Sequence, residues 1–103
     1  MKIQLVDRTP ALCDEWRKAF DGTDVIIYEG DFFDLPTDCV VSPANSFGYM
    51  DGGLDLAISR TVGWQIEMRL QEIIKNSAMG ELLVGQALLI ETDNEKFPYC
   101  ISA

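Results

Sequence analysis

Histidine is absent from this chain of 103 residues, and cations are scarce: 8 Lys and Arg against 17 Asp and Glu, a formal net charge of −9. Without His there is no imidazole to serve as a general base, and no zinc site can be assembled from Cys and His. The shortage of cations argues against non-specific nucleic-acid binding, which needs a basic surface to displace counterions from phosphates. It equally argues against adhesion to anionic membranes. Cysteine is sparse as well. Cys13, Cys39 and Cys100 are odd in number, widely spaced and without a Cys-x-x-Cys pair, so they read as reduced, mostly buried thiols of a cytoplasmic protein rather than a disulfide framework. No signal-peptide core forms in Met1–Asp7, because Gln4 and Asp7 interrupt it. No apolar run approaches the roughly 20 residues of a membrane span. Internal repeats and low-complexity tracts are also missing.

What remains is the balance of an ordinary globular protein, with 48% hydrophobic and 24% charged residues. The length fits a single domain over residues 1–103, able to bury roughly 65% of its unfolded surface. Lys2–Val6 alternates as a short strand. Thr9 is placed to cap, and Pro10 to open, a helix whose Leu12, Trp16, Ala19 and Phe20 form one apolar stripe. Asp21 and Gly22 end it. Val25–Tyr28 is a second strand, and Cys39–Val41 a third that reads as buried on both faces. A loop rich in Gly and Asn runs from Ser42 to Gly53. Helical spacing resumes at about Leu54, is interrupted at Gly63, and continues from Trp64 to Lys75 with Ile66, Leu70, Ile73 and Ile74 on one side. Ala87–Ile90 reads as a buried strand, and Tyr99–Ile101 as another. The order predicts an α/β fold with a mixed, largely parallel sheet and flanking helices.

The stretch from Asp38 to Ile58 carries the chemistry. A buried strand feeds a Gly-containing loop, which feeds a helix start, the place where α/β sheets bind ligands. Gly52 and Gly53 have no Cβ, so a ligand can approach their backbone closely. The helix behind them offers unpaired N–H groups and the positive end of its dipole, an anion site that needs no Lys or Arg. It is neither a Walker loop nor a dinucleotide fingerprint, since both Gly patterns are missing.

Val41-Ser42-Pro43-Ala44-Asn45, followed by Asp51-Gly52-Gly53-Leu54-Asp55-Leu56-Ala57-Ile58, resembles the macro domain, a family that binds ADP-ribose. The family's usual run is Val-Asn-Ala-Ala-Asn, a spacer, then Gly-Gly-Gly-Val-Asp-Gly-Ala-Ile. Upstream, Gly30-Asp31-Phe32 is similar to the family's Gly-Asp-Ile. The resemblance covers roughly residues 25–103. It implies a three-layer α/β/α fold, incomplete at the C-terminus, because macro domains continue through further helices and a second Gly-rich loop. It also implies roles. Asp31 would accept a hydrogen bond from the adenine amino group, with the Phe32 backbone beside it. Asn45 would hold the distal ribose, Gly52, Gly53 and Leu54 would line the pyrophosphate, and Asp55 would orient a water or substrate near the distal ribose. Ser42 replaces the family's first Asn and still offers a hydrogen bond with a shorter reach. Asp51 replaces a Gly, and Ser59 stands where hydrolytic members often carry His. No metal or cofactor is implied.

Each of these residues has a plainer reading. Asp55 is equally a first-turn acid on a helix dipole, Asp31 a turn residue after a strand, and Asn45 an Asx-turn former. Gly52-Gly53 serves equally as a strand-to-helix turn. Two functions follow. The first is binding of ADP-ribose or an ADP-ribosylated substrate, with hydrolysis of ADP-ribosyl esters or ADP-ribose 1″-phosphate through Asp55 and Asn45 as a second layer. The alternative is a non-catalytic interaction or assembly module with a degenerate ligand loop, self-associating through an exposed sheet edge.

Overall fold

Two strands, β1 (Gln4–Asp7) and β2 (Ile26–Glu29), pair in parallel with Gln4 opposite Ile26 and Asp7 opposite Glu29. A parallel pair requires a crossover, and helix α1 (Pro10–Ala19) supplies it. Pro10 suits the first turn, where its missing N–H removes no helical bond, and Arg17 and Lys18 sit in the last turn beside the negative end of the dipole. The cap differs from expectation. Thr9 occupies the cap position with extended backbone, but its side chain makes no cap hydrogen bond; instead its N–H donates to Asp7 Oδ1 at 2.8 Å. The carboxylate two residues upstream organises this turn, and the Thr9 side chain hydrogen-bonds it as well. The apolar stripe is corrected as well. Cys13 is fully buried and Trp16 half-buried, whereas Leu12 and Phe20 are exposed, because a pair of four-residue strands is too narrow to cover the whole helix face.

The computed structural model describes every residue except Ala44 and Ala78, so Ala44 of the Val41–Asn45 run lies outside the described residues. The chain divides into two compact units, Met1–Leu35 and Pro36–Ala103. The second contains β3 (Cys39–Ser42), α2 (Gly53–Val62), α3 (Gln65–Lys75), β4 (Leu88–Glu91) and β5 (Tyr99–Ser102). Its sheet runs β3-β5-β4, with β3 parallel and β4 antiparallel to β5. The α/β class with mixed, largely parallel pairing and flanking helices is therefore what the chain adopts, its strands divided between a two-stranded and a three-stranded sheet among the described residues.

Both helices of the second unit pack on its sheet, α2 against β3 and α3 against β4. The core joins Val40, Cys100 and Ile90, aligned across the three strands, to Ile58, Val62, Ile66, Leu70 and Ile74. Each large aliphatic side chain buried in this way contributes about 1.5–3 kcal/mol. Ile73, at the flank of the α3 stripe, is exposed. The expectation that β3 and β4 are buried throughout is overturned at Val41, 57% exposed, and Leu89, 62% exposed. Side chains alternate across a strand, and α2 and α3 cover one face only. Among the described residues no helix is long and apolar enough to cross a membrane.

Candidate functional site

The loop between β3 and α2 is held from behind by its own backbone. Asn45 Oδ1 accepts the Phe47 N–H at 2.9 Å and Asn45 O accepts the Gly48 N–H at 3.0 Å, closing an Asx turn. Ser46 O accepts the Leu82 N–H. Gly48 is buried with φ +83°, and a Cβ there would lie 3.1–3.2 Å from Gln71 and Ile74 of α3. Only glycine lets this turn lie so close to the helix. Met50, 1% exposed, is tied at both ends: its N–H donates to Glu67 Oε2 at 2.7 Å, and its carbonyl accepts the Ser59 hydroxyl at 2.8 Å.

Beyond Met50 the chain turns outward. Asp51, Gly52 and Gly53 are exposed, and a Cβ built on either glycine would meet nothing within 4 Å. Gly52 is the N-cap of α2 and no side chain caps it. Gly53 has φ +55°, a conformation that side-chain-bearing residues rarely adopt. Helix geometry leaves the first N–H groups of α2, those of Gly53, Leu54 and Asp55, without intrahelical partners. Open backbone, unpaired donors and the dipole's positive end thus coincide.

Asp55 lies in the first turn of α2 and is buried. The Ser42 hydroxyl, buried at the end of β3, donates to Asp55 Oδ1, which turns one carboxylate oxygen toward the strand. Burial raises the Asp55 pKa above the ordinary carboxylate value; the Ser42 hydrogen bond pulls it back, and the charge of Asp51 pushes it further up. Among the described residues no buried side-chain nitrogen or oxygen lacks a hydrogen-bond partner, and no cluster of three or more potential metal ligands forms.

Asp31 and Phe32 belong to the first unit. Asp31 Oδ1 accepts the Phe33 N–H at 2.9 Å, and Oδ2 accepts from the Arg8 guanidinium. The Phe33 N–H first, and then Arg8, hold the Asp31 carboxyl below its usual range. Asp34 Oδ2 accepts both the Asp31 N–H, at 3.1 Å, and the Tyr28 hydroxyl, at 3.0 Å. Phe32 is half-buried and meets Phe33 edge-to-face, with centroids 5.0 Å apart.

The structure therefore brings Ser42 to Asp55, and sets Gly52, Gly53 and Leu54 at the same helix start. Asn45 is exposed, with its side-chain oxygen engaged inside its own loop. Met50 and Glu67, which shape the loop with Gly48, carry no sequence signal of their own. A glycine three residues after an Asn is a faint sign of the turn, but the glutamate that holds Met50 is seventeen positions away.

Residues 41–103 match the family model described as the Macro domain. Three uncharacterised proteins are similar in sequence. One from Sulfolobus acidocaldarius is 31% identical over 86 residues, covering 84% of this chain and 46% of the relative. One from Saccharolobus solfataricus is 29% identical, covering 80% of this chain and 45% of the relative, and one from Aquifex aeolicus is 32% identical, covering 78% and 45%. The chain thus spans about half the length of these curated relatives. The family match begins at Val41 and takes in the Ser42–Asp55 pair and the open glycines, over more than half of the sequence: the chain belongs to the macro-domain family.

Proposed function

We propose that the chain binds ADP-ribose or an ADP-ribose derivative, the general ligand of macro domains. The observation that carries this is the uncapped start of α2, where two successive exposed glycines with open space around them precede backbone N–H groups that have no intrahelical partner. A diphosphate accepts from such donors without any cation nearby. In this reading Gly52, Gly53 and Leu54 serve the pyrophosphate and Asn45 offers its amide NH₂ to the distal ribose. Ser42 reaches the ligand through its hold on Asp55. Asp31 accepts from the adenine amino group with the Phe32 backbone beside it. Residues 1–103 form part of one macro domain, working in a reducing, cytoplasmic compartment, with neither nucleic acid nor membrane as partner. Titration calorimetry tests this: ADP-ribose should bind more tightly than AMP. Asp31→Ala should weaken ADP-ribose by about 1–3 kcal/mol and leave ribose 5-phosphate unchanged. Equal binding of ADP-ribose and AMP would overturn the backbone cradle.

Hydrolysis of an ADP-ribosyl ester or ADP-ribose 1″-phosphate is the second layer of the proposal. With no His in the chain, Asp55 would have to position the water, with Asn45 holding the ribose, and turnover should be slow. Release of ADP-ribose from a modified protein, compared between the wild type and Asp55→Ala, decides it. Turnover that survives the substitution removes Asp55 from the role. The alternative, a non-catalytic assembly module, is favoured by the exposed apolar residues Val41 and Leu89; self-association through a sheet edge would have to overcome the net charge of −9 on each copy.

A further inference from the structure

Strands β1 and β2 end side by side. Asp7 lies opposite Glu29, and the Gly30 N–H donates to Asp7 O at 2.9 Å. Arg8 and Asp31 therefore follow the C-terminal ends of two parallel neighbours, where α/β sheets take ligands. The turn after β2 is closely built. The Tyr28 ring and the Asp34 carboxylate close on Gly30, where a Cβ would lie 2.6 and 2.9 Å from them. Asp34 Oδ2 accepts the Asp31 N–H at 3.1 Å, and Asp31 O accepts the Asp34 N–H at 3.1 Å. Asp31 Oδ1 accepts the Phe33 N–H at 2.9 Å. The turn thus fixes the Asp31 backbone and one carboxylate oxygen, and leaves Oδ2 for a partner from outside it.

In the free chain that partner is the Arg8 guanidinium. The Arg8 side chain is 75% exposed and that of Asp31 37%, and an ion pair so exposed is weak. Of the two residues, Asp31 is held by its turn, so Arg8 is the one able to move. A guanidinium only donates hydrogen bonds, and the exocyclic amino group of adenine donates as well; both seek the same carboxylate oxygen. We propose that Arg8 is a specificity-determining residue of the base site. It holds the place that the amino group of adenine must take, and a 6-amino base binds by displacing it. A 6-oxopurine meets the opposite situation. Its O6 accepts from an Arg8 that stays on Asp31; without Arg8, that oxygen would face the carboxylate with no donor between them. The inference rests on the ADP-ribose reading and adds to it the choice between 6-amino and 6-oxo bases.

The test is titration calorimetry of the full chain with ADP-ribose and with inosine diphosphate ribose, in which an oxo group replaces the amino group of adenine. Arg8→Ala should tighten ADP-ribose by about two- to fivefold, the return for an exposed ion pair that no longer has to be broken. The same substitution should weaken inosine diphosphate ribose by about threefold or more, the loss of a charge-assisted donor. Arg8→Met, which keeps the apolar stem and removes the donors, should shift both ligands in the same directions. Arg8 is exposed, so the urea midpoint of either variant should stay at the wild-type value. Affinities for the two ligands that move together overturn the proposal, because a merely structural role for Arg8 would do that. ADP-ribose that binds the wild type and both variants equally well overturns this inference alone. ADP-ribose weakened by loss of Arg8 also overturns it, and shows that the cation itself holds the ligand. No binding of either ligand to the wild type or the variants overturns the ADP-ribose reading, and this inference with it.

Discussion

Ser42 and Asp55 stand thirteen positions apart and share one buried hydrogen bond. Removing the donor leaves a buried carboxylate short of a partner, so Ser42→Ala should cost about 1–3 kcal/mol in urea unfolding. The pH dependence of Asp55 has a definite sign. Burial raises its pKa, so between its unfolded and folded values the native chain holds more proton than the unfolded one. Its contribution is present below the unfolded value and is lost as pH rises through the folded one. Asp55→Asn keeps an acceptor for Ser42 and removes that loss, so its stability relative to wild type should increase as pH is raised from about 4 to 7. Asp7 and Asp31, both lowered by hydrogen bonds, act in the opposite direction in both proteins and cancel in the comparison. Parallel urea-midpoint profiles for the two proteins would overturn the assignment. The spacing of Ser42 and Asp55 was readable from the sequence motif, but their mutual contact was not. It depends on where β3 ends relative to the first turn of α2, which no local pattern records.

Helix α2 begins on two glycines that do different work. Gly53 has φ +55°, so Gly53→Ala should destabilise by about 1–3 kcal/mol through backbone strain. Gly52 is extended with open space around it. Gly52→Ala should therefore leave thermal stability within about 0.5 kcal/mol of wild type while weakening ADP-ribose measurably, because in the proposed cradle the added methyl takes up open space through which the ligand would approach the backbone. Calorimetry with both variants separates cradle from fold; an unchanged affinity for Gly52→Ala would remove that residue from the cradle. Much of this element was legible. Pro10, the break at Gly63 and the apolar spacing of Ile66, Leu70 and Ile74 mark α1, α2 and α3 to within a residue or two, because helix starts, stops and stripes are local chemistry. The strands were legible as strands, but their faces were not. Cys39–Val41 and Ala87–Ile90 are apolar runs without alternation, and nothing within such a run says that Val41 and Leu89 turn away from the helices.

At the scale of the molecule, charge and donors oppose each other: a chain of net charge −9 is proposed to hold an anionic ligand with neutral N–H groups. Salt should then change ADP-ribose affinity little between 0.05 and 0.5 M, about the range over which exposed ion pairs lose most of their attraction. A steep fall in calorimetry would show that side-chain cations carry the binding. The thiols report on the molecule in another way. Cys13 is fully buried in Met1–Leu35 and Cys100 in Pro36–Ala103, and burial pushes the Cys100 thiol up to about 11. A thiol reagent at pH 8 should reach the half-buried Cys39 first. It can modify the other two only when the surrounding structure opens. Cys13 is the one buried apolar side chain in its unit, whereas Cys100 shares its core with Val40, Ile58, Leu70 and others. Peptide-resolved mass spectrometry should therefore find Cys13 labelled sooner than Cys100; equal rates would mean that both units open in one event. Each unit carries a sealed sulfur, and the two together make the chain its own pair of clocks for the lifetime of its closed state.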